Sequence, residues 1–348
     1  MQNFLLKKPF LIAGPCSVET EEQLIDTAKQ IAALNRVDAL RAGIWKPRTR
    51  PGNFEGIGTK GLSWLVQARK ETGLKIITEV ATAKQVEDAL HFELDYVWIG
   101  ARSTVNPFCV QEIADALKGT TIPVFIKNPV NPDLELWLGA VERIANAGID
   151  KIGLIHRGFS SYGAAEYRNP PLWHIVIEMK RRLPNIPILI DPSHICGSRE
   201  NLFDVAQYAC NLNYDGMIIE SHRNPDQAWS DAKQQVTPAR LAEIIDGLNW
   251  KKESEDSSEF QEKLRNHRQH IDQIDNELIN LLGKRLQISK EIGKLKNDHQ
   301  ITILQSGRWH DVVDRLIKYG QTKGLSKDFL EKYLESIHLE SIRIQNHE

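Results

Sequence analysis

Residues 122–157, IPVFIKNPVNPDLELWLGAVERIANAGIDKIGLIHR, contain the pattern that decides the fold. One short apolar run, PVFIKN, carries Lys127 at its end, and a second, KIGLIHR, ends at His156 and Arg157. Between them, LELWLGAVERIANAG has helical periodicity and ends at Gly148, a residue that favours the position just after a helix. The segment therefore predicts a strand, a helix and a second strand, with chemically active side chains where each strand ends.

The same pattern is found along the first 250 residues. The eight apolar runs and the polar residues at their ends are PFLIAGPC (Cys16), DALRAGIWK (Arg41, Lys46), KIITEV (Glu79), DYVWIGAR (Arg102), PVFIKN (Lys127), KIGLIHR (His156, Arg157), IPILIDPSH (Asp191, His194) and DGMIIESH (Glu220, His222). Runs that are apolar throughout are typical of parallel strands buried on both faces. Eight strand–helix units favour a (β/α)8 barrel over a doubly wound sheet, and barrel active sites lie at the carboxyl ends of the strands.

The bulk composition excludes several functional classes. Lys+Arg 44 against Asp+Glu 46 gives a net charge of -2, which argues against a general binder of nucleic acid or membrane surfaces. The four cysteines form no CxxC pair, and no apolar run approaches the roughly 20 residues of a membrane span. The first residues lack the features of a signal peptide, so we expect a cytoplasmic protein.

The composition changes after Trp250 and indicates a second domain. Residues 251–259, KKESEDSSE, are charged, rich in serine and without apolar residues, which is typical of a solvated linker. We therefore expect a barrel over residues 1–250, a linker over 251–258 and an all-α domain over 259–348.

The all-α domain is expected to contain three helices. An apolar stripe from Phe260 to Leu295 predicts a first helix about 60 Å long at 1.5 Å per residue. Two shorter helices are expected, from about Gln305 to Tyr319 and from about Ser326 to Gln345. Three helices of one chain cannot bury so long a stripe, so we expect this domain to form a homodimer.

Four side chains of the barrel suit a metal ion. Three are at predicted strand ends and the fourth is in the loop after the last strand: Cys16, His194, Glu220 and Asp231. A lone buried cysteine is usually a small apolar residue. A thiol, an imidazole and two carboxylates together suit a divalent ion such as Mn, Fe, Co or Zn rather than Ca or Mg.

Six cations are expected at the same face. They are Arg41, Lys46, Arg48, Arg102, Lys127 and Arg157. A single arginine in a loop is more often a solvated charge, but six cations in one cleft repel each other unless anions bind there. Guanidinium groups match the geometry of phosphate and carboxylate. We infer substrates that carry two or more such groups.

The motifs of the barrel resemble one enzyme family closely. IAGPCSVE, RAGIWKPRT, ITEVAT, IGAR, FIKNP, HRG, IDPSH and the segment from ESH to SDAKQQ, which together span Pro9 to Asp246, are similar to 3-deoxy-D-arabino-heptulosonate 7-phosphate (DAHP) synthase of the short, core-barrel type. The resemblance implies a metal-dependent condensation of phosphoenolpyruvate with erythrose 4-phosphate, the first step of the shikimate pathway.

The resemblance also implies roles for particular residues. The metal ligands would be Cys16, His194, Glu220 and Asp231. Phosphoenolpyruvate would be held by Arg41, Lys46, Arg102, Lys127 and Arg157, and erythrose 4-phosphate by Lys46, Pro47, Arg48 and Thr49. Lys46 is thus assigned to both substrates. The catalytic residues of the barrel would be Lys46, Lys127 and Glu79. Either Lys127 or Glu79 would handle the proton, and the sequence does not choose between them.

The tail contains charged residues at helical spacing. Arg268 and Arg285 are about five turns apart, Lys296 follows about three turns later, and Ser341 and Gln345 share a face by their i, i+4 spacing. Residues 260–346, and RQHIDQIDNELINLLGKRLQISKEIGKLK in particular, resemble the all-helical chorismate mutase. The resemblance implies a chorismate site lined by the partner's Arg268 and by Arg285, Lys296, Arg308, Ser341 and Gln345. Catalysis would rest on Arg285, Lys296 and Gln345.

Two positions depart from the mutase family. It usually has an acidic residue where Gln305 stands and a glutamate that contacts the substrate hydroxyl where Trp309 stands, so neither contact is expected here. These departures favour an alternative in which the tail forms dimers or binds ligands as a sensor, without catalytic turnover.

For the barrel, the alternative is a related enzyme that uses a five-carbon sugar phosphate. The KPRT segment, residues 46–49, argues against this alternative. We expect prephenate or chorismate bound to the tail to inhibit the barrel allosterically. A structural scaffold would not explain the metal-type ligands beside six cations.

Overall fold

The computed structural model describes residues 3–5, 7–48, 52–163, 166–252, 254 and 257–346, apart from the side chain of Ser306. The chain divides into two compact units, Met1–Glu253 and Ser254–Glu348. Among the described residues, no helix is long and apolar enough to cross a membrane.

The first unit is a closed parallel barrel, as predicted. Within the described residues its eight strands are β1 (Phe10–Gly14), β2 (Ala39–Arg41), β3 (Lys75–Val80), β4 (Tyr96–Ile99), β5 (Val124–Lys127), β6 (Ile152–His156), β7 (Ile188–Ile190) and β8 (Gly216–Glu220). Each strand pairs with the next, and β1 pairs with β8 from Phe10↔Gly216 to Gly14↔Glu220, which closes the barrel.

Helices surround the strands. They are α1 (Glu21–Ala33), α2 (Lys60–Thr72), α3 (Ala83–His91), α4 (Ala101–Thr104), α5 (Pro107–Leu117), α6 (Leu134–Asn146), α7 (Trp173–Arg182), α8 (Pro192–Cys196), α9 (Leu202–Asn211) and α10 (Pro238–Gly247), with 3-10 turns at Pro225–Gln227 and Ala232–Gln234. The Thr20 side chain accepts a hydrogen bond from the backbone N–H of Gln23, and so caps α1. Gly148 has a φ of 93°, which suits its place after α6.

The barrel has two apolar layers. The larger fills the space between strands and helices, and the smaller fills the inside of the barrel with side chains that include Phe125 and Trp98. Gly153 in β6 makes room for the Phe125 ring, because a Cβ atom at position 153 would lie 2.5 Å from it. Close packing inside the barrel therefore holds the strands whose ends carry the polar side chains.

The second unit contains, within its described residues, the helices α11 (Ser258–Asp298), α12 (Ser306–Gln321) and α13 (Lys327–Asn346). The first is a single helix of 41 residues, and its side chains Ile271, Leu281 and Leu295 are more than half exposed in one copy of the chain. The second runs past its predicted end at Tyr319. A Cβ atom at Gly320 would lie 2.6 Å from the Leu330 side chain, so this glycine serves helix packing and does not end the helix.

Gly153→Ala should lower the free energy of unfolding of the barrel by about 1–3 kcal/mol, because the added methyl group collides with the Phe125 ring. Gly139→Ala is the matched control. Gly139 lies in α6, where a Cβ atom would meet nothing within 4 Å, and alanine there should be neutral or stabilise by about 0.5–1 kcal/mol. Urea unfolding of both variants measures the difference, and equal stability would contradict the packing described for β6.

Candidate active sites

The carboxyl ends of the strands bring the predicted side chains of the barrel to one face. Arg41, Lys127 and Glu220 are the last residues of β2, β5 and β8, and Cys16 follows β1 by two residues. All four are buried. The strand ends and the residue two positions after β1 therefore place these four side chains at the face where barrel active sites lie.

Cys16 lies between the carboxylate of Asp231 and the ammonium group of Lys46. Its Sγ is 3.3 Å from Asp231 Oδ2, and Lys46 Nζ donates hydrogen bonds to Cys16 Sγ (2.9 Å) and to the Cys16 carbonyl (3.0 Å). Burial and the nearby Glu220 carboxylate raise the pKa of the Cys16 thiol to about 12, although Lys46 opposes the shift.

Glu220 and Arg41 form a buried ion pair. Arg41 Nη2 is 3.1 Å from Glu220 Oε1, and the two side chains are 1% and 0% exposed. Within the part of the chain that the structure describes, Arg41 Nε and Nη1 have no hydrogen-bond partner. A buried guanidinium with two unused nitrogens, which together carry three N–H groups, is suited to bind an oxyanion.

Asp191 joins two of the predicted groups, and the sequence had assigned it no role. Lys127 Nζ donates to Asp191 Oδ2 at 3.0 Å, and His194 Nδ1 donates to Asp191 Oδ1 at 2.9 Å. Burial opposes the charge of Asp191, but His194 and Lys127 hold its pKa well below the usual range. The carboxylate fixes the tautomer of His194 so that Nε2 can act as a metal ligand.

Trp98 is a second residue that sequence reasoning missed. Arg41 Cζ and Lys127 Nζ lie 5.2 and 5.4 Å from the centroid of its ring, within the range of cation–π contacts. The indole N–H donates to Glu79 Oε2 at 3.0 Å. A Cβ atom at Gly100 would lie 2.0 Å from Glu79 Oε1, so the glycine leaves the space that the carboxylate fills.

Arg157 is held by two asparagines that the sequence analysis did not select. Its backbone N–H donates to Asn128 Oδ1 at 2.7 Å, and its Nη1 donates to Asn169 Oδ1 at 2.9 Å. Asn169 Nδ2 donates in turn to the carbonyl of His194 at 2.6 Å. Asn169 thereby links a predicted phosphoenolpyruvate residue to a predicted metal ligand.

The two remaining cations of the predicted six, Arg48 and Arg102, line a cavity of about 370 Å³. Its lining includes Arg48, Arg102, Arg168, Trp229 and Asp231. Arg168 Nη1 donates to Asp231 Oδ1 at 3.1 Å, and Arg48 Nη1 is 3.5 Å from Asp231 Oδ2. The exposed Arg168, which was not among the predicted residues, therefore adds a further cation to the lining of this cavity.

Pro47 and Thr49 are the other two residues predicted to bind the sugar phosphate. Pro47 is half-buried beside Lys46, and Thr49 lies outside the described residues.

The four metal-type side chains lie in two neighbouring pairs. Besides the contact between Cys16 and Asp231, His194 Nε2 is 3.7 Å from Glu220 Oε1. Across the ranges that the structure describes, no group of three or more such ligands converges closely enough to hold an ion. The donor set still fits a borderline divalent ion, and Glu220 Oε1, although ion-paired with Arg41, accepts no hydrogen bond from any described residue.

The buried His156 supports the loop beside Arg157. Its Nε2 is 2.7 Å from the Pro171 carbonyl, which can only accept, so Nε2 carries the proton. Its Nδ1 therefore accepts from the Tyr214 hydroxyl at 2.9 Å. Burial lowers the pKa of His156 to about 3, which keeps the ring neutral.

In the helical unit, some predicted residues make contacts within the unit, and two predicted arginines are exposed. Arg285 Nη1 donates to Ser341 Oγ at 2.6 Å, and Lys296 Nζ donates to the Ile303 carbonyl. Gln345 packs closely against α11, because a Cβ atom at Gly293 would lie 3.0 Å from the Gln345 Cα. The side chains of Arg268 and Arg308 are exposed in one copy of the chain.

Both units match known families. The model of the DAHP synthetase I family matches residues 7–256, and the model of chorismate mutase type II matches residues 267–346. A phospho-2-dehydro-3-deoxyheptonate aldolase of Thermotoga maritima is 33% identical over 68% of this chain and 67% of its own length. A 2-dehydro-3-deoxyphosphooctonate aldolase of Desulfotalea psychrophila is 28% identical over 68% of this chain and 88% of its own.

Solved structures agree with these matches. The crystal structure of the phospho-2-dehydro-3-deoxyheptonate aldolase (DAHP synthase) of Thermotoga maritima has a TM-score of 0.61 and 34% identity, and covers 68% of this chain and 67% of that chain. A truncated form of the 3-deoxy-D-arabino-heptulosonate 7-phosphate synthase of the same organism has a TM-score of 0.59 and 31% identity, over 68% of this chain and 84% of that chain.

His156→Gln should make the stability of the barrel less sensitive to acid. Between the unfolded pKa of about 6.5 and the folded value of about 3, the unfolded state binds a proton that the folded state excludes, so stability falls as the pH falls. From pH 7 to 5 the wild type should lose about 2 kcal/mol more than the variant, whose amide can still donate to Pro171.

Urea unfolding at a series of pH values measures this difference. His174→Gln, at an exposed position of α7, is the matched control and should follow the wild type. Parallel curves for the wild type and His156→Gln would contradict the burial of a neutral His156.

Proposed function

The chain belongs to the DAHP synthetase I family and carries a chorismate mutase domain in its helical unit, and from this we propose the two reactions that it catalyses in the shikimate pathway. In the barrel, phosphoenolpyruvate condenses with erythrose 4-phosphate to give DAHP and phosphate. In the helical unit, chorismate rearranges to prephenate. The observation that carries the first assignment is the buried Arg41, whose Nε and Nη1 lack partners among the described residues.

The proposed phosphoenolpyruvate site consists of the cations at the strand ends. Arg41, Lys127 and Arg157 are buried, whereas Lys46 and Arg102 lie nearer the surface. Arginine forks suit the carboxylate and the phosphate of this substrate, and fixed cations offset the repulsion between two anionic substrates. Carbon 3 of phosphoenolpyruvate would attack the aldehyde carbon of the sugar. Water would then add to carbon 2, and phosphate would leave.

We assign the proton transfer to Lys127 rather than to Glu79. The Glu79 carboxylate is engaged by the indole N–H of Trp98. Lys127 Nζ is held by Asp191 and lies over the face of the same indole, beside Arg41. An ammonium group that is buried but held in place can donate a proton at a defined position.

We propose that Cys16, His194, Glu220 and Asp231 hold a divalent metal ion such as Mn, Fe, Co or Zn. The support is the donor set, the pairwise contacts and the Nδ1–H of His194, which is fixed on Asp191. When bound, such an ion would polarise the aldehyde oxygen of erythrose 4-phosphate.

The choice of sugar rests on residues 46–49. Arg48 Nε donates to the Phe54 carbonyl at 2.8 Å, which holds its guanidinium at the cavity beside Asp231. We propose that Lys46, Pro47, Arg48 and Thr49 bind erythrose 4-phosphate. The Thermotoga maritima aldolase is also more similar to this chain than the phosphooctonate aldolase described above, at 33% against 28% identity. A five-carbon sugar phosphate is the alternative.

In the helical unit we propose that arginines hold the two carboxylates of chorismate. Arg285, anchored on Ser341, and Arg308 would act together with the partner's Arg268. Lys296 and Gln345 would stabilise the charge that develops on the ether oxygen. A tail that binds ligands without turnover is the second candidate, and Trp309 in place of a family glutamate is the observation that favours it.

We further propose a homodimer and feedback inhibition. The exposed apolar side chains of α11 fit a second copy of the chain, because water contact with a stripe of this length is unfavourable. Prephenate or chorismate bound to the helical unit would lower the rate of the barrel by favouring one of two states. The cytoplasmic location stays a prediction from the sequence.

The synthase rate with phosphoenolpyruvate and erythrose 4-phosphate should vanish after chelation, return with added metal, and fall when prephenate is present. Cys16→Ala should lower it by more than about 100-fold, the upper end of the cost of an outer-shell change, and should leave mutase turnover intact. Cys109→Ala, a half-buried cysteine of α5, is the matched control.

Each result tests a separate part of the proposal. A rate that saturating prephenate leaves unchanged would remove the feedback role and keep the enzyme. No turnover with any metal would favour a five-carbon sugar phosphate over erythrose 4-phosphate.

Arg268→Ala and Arg285→Ala should each lower mutase turnover by about 100-fold or more, because each removes a contact to the reacting dianion. If the partner's Arg268 completes the site, mixing the two variants should restore about a quarter of the wild-type rate, since half of the dimers are mixed and each has one intact site. No recovery between differently tagged chains that co-purify would contradict this arrangement.

A further inference from the structure

The helical unit contains an aromatic pair to which the proposed chemistry assigns no role. Trp309 of α12 stacks on His338 of α13, with ring centroids 3.8 Å apart and planes that differ by 9°. His338, Ser341 and Gln345 follow each other on α13 at spacings of three and four residues, so they share one face of the helix. The pair is therefore next to the residues of the proposed chorismate site.

Two atoms on this face are buried without a hydrogen bond. They are His338 Nε2 and Gln345 Oε1, neither of which has a partner among the residues that the structure describes. Burying a polar atom without a partner costs free energy, because the atom loses its hydrogen bonds to water and gains none in return. Such atoms are expected where a bound ligand supplies the missing partner.

The surroundings of His338 determine which kind of ligand group it can meet. Burial and the positive charges of Arg285 and Lys296 lower the pKa of His338, so its imidazole is neutral at neutral pH. A neutral imidazole adds no charge to a site that already has cations for carboxylates. The stacked indole of Trp309 also fixes the plane of the ring and hence the direction of Nε2.

The ring hydroxyl of chorismate and prephenate has not yet been assigned a binding partner in the proposed site. Chorismate and prephenate each carry two carboxylates and one ring hydroxyl. The arginines account for the carboxylates, and Lys296 Nζ and the amide nitrogen of Gln345 are assigned to the ether oxygen of chorismate, which can only accept hydrogen bonds. We propose that His338 Nε2 forms a hydrogen bond with the ring hydroxyl and that Trp309 is a positioning residue that orients it. This inference rests on the proposed mutase function of the helical unit.

The test uses the full chain with prephenate titrated calorimetrically and chorismate turnover followed in parallel. His338→Phe keeps a flat ring for stacking but loses the nitrogen, and should weaken prephenate binding about 10-fold, as expected for one hydrogen bond. His338→Gln places an amide nitrogen near the position of Nε2 and should stay within about 3-fold of wild type. His310→Gln, at an exposed position of α12, is the control.

The kinetics separate a ligand contact from a structural role. The hydroxyl takes no part in the bonds that form and break, so His338→Phe should raise the KM for chorismate and leave kcat within about 3-fold. Trp309→Ala should weaken binding as His338→Phe does, because the imidazole loses the surface that orients it. Thermal unfolding of each variant checks that the helical unit is folded.

Three results would overturn the assignment. Wild-type affinity in a folded His338→Phe variant would remove His338 as a contact. A fall in kcat and thermal stability without any change in KM would make its role structural. A wild-type chain that neither binds prephenate nor turns over chorismate would overturn the proposed mutase function and this inference together.

Discussion

The buried ion pair between Arg41 and Glu220 is the interaction on which the barrel site depends. Charges with less than 2% exposure persist only when they are paired, because neither can be solvated by water. Glu220 engages one nitrogen of Arg41 and accepts a hydrogen bond from Gln234 through its other oxygen. Two nitrogens of Arg41 remain without partners in the described part of the chain. The pair thus keeps the arginine buried and leaves it able to bind an anion.

The same constraint explains why the neighbouring groups are linked. Asp191 serves Lys127 and His194 together, and Asn169 serves Arg157 and the backbone of His194. The residues proposed for phosphoenolpyruvate and for the metal are therefore parts of one hydrogen-bonded network. A change at one end alters the electrostatic balance at the other, because few of these groups can exchange a partner for water. Substrate and metal affinities are expected to be coupled for this reason.

The sequence predicted what depends on local pattern. The apolar runs and Gly148 were sufficient for the (β/α)8 barrel, since strands and helix ends follow from neighbouring residues. Trp98 and Asn169 were not predicted, because their roles arise from contacts between segments far apart in the chain. An indole inside an apolar run looks like any core residue until cations are found over its ring. The end of α12 was placed two residues too early, at Tyr319, for a related reason, since the close packing of Gly320 against Leu330 involves a residue of the next helix.

The two units solve the problem of binding anions differently. The barrel buries Arg41, Lys127 and Arg157 within its own core, so one chain can hold the proposed site. The helical unit leaves Arg268 and much of its apolar stripe exposed, so its proposed site requires a second copy of the chain to be complete. A ligand there would bind only to the dimer and would stabilise it by mass action. The proposed feedback on the barrel would require this ligand to bind two states of the dimer with different affinity, because a ligand that binds both states equally shifts neither. If prephenate weakens the binding of substrates in the barrel, linkage requires those substrates to weaken the binding of prephenate by the same factor, so this coupling is measurable from either unit.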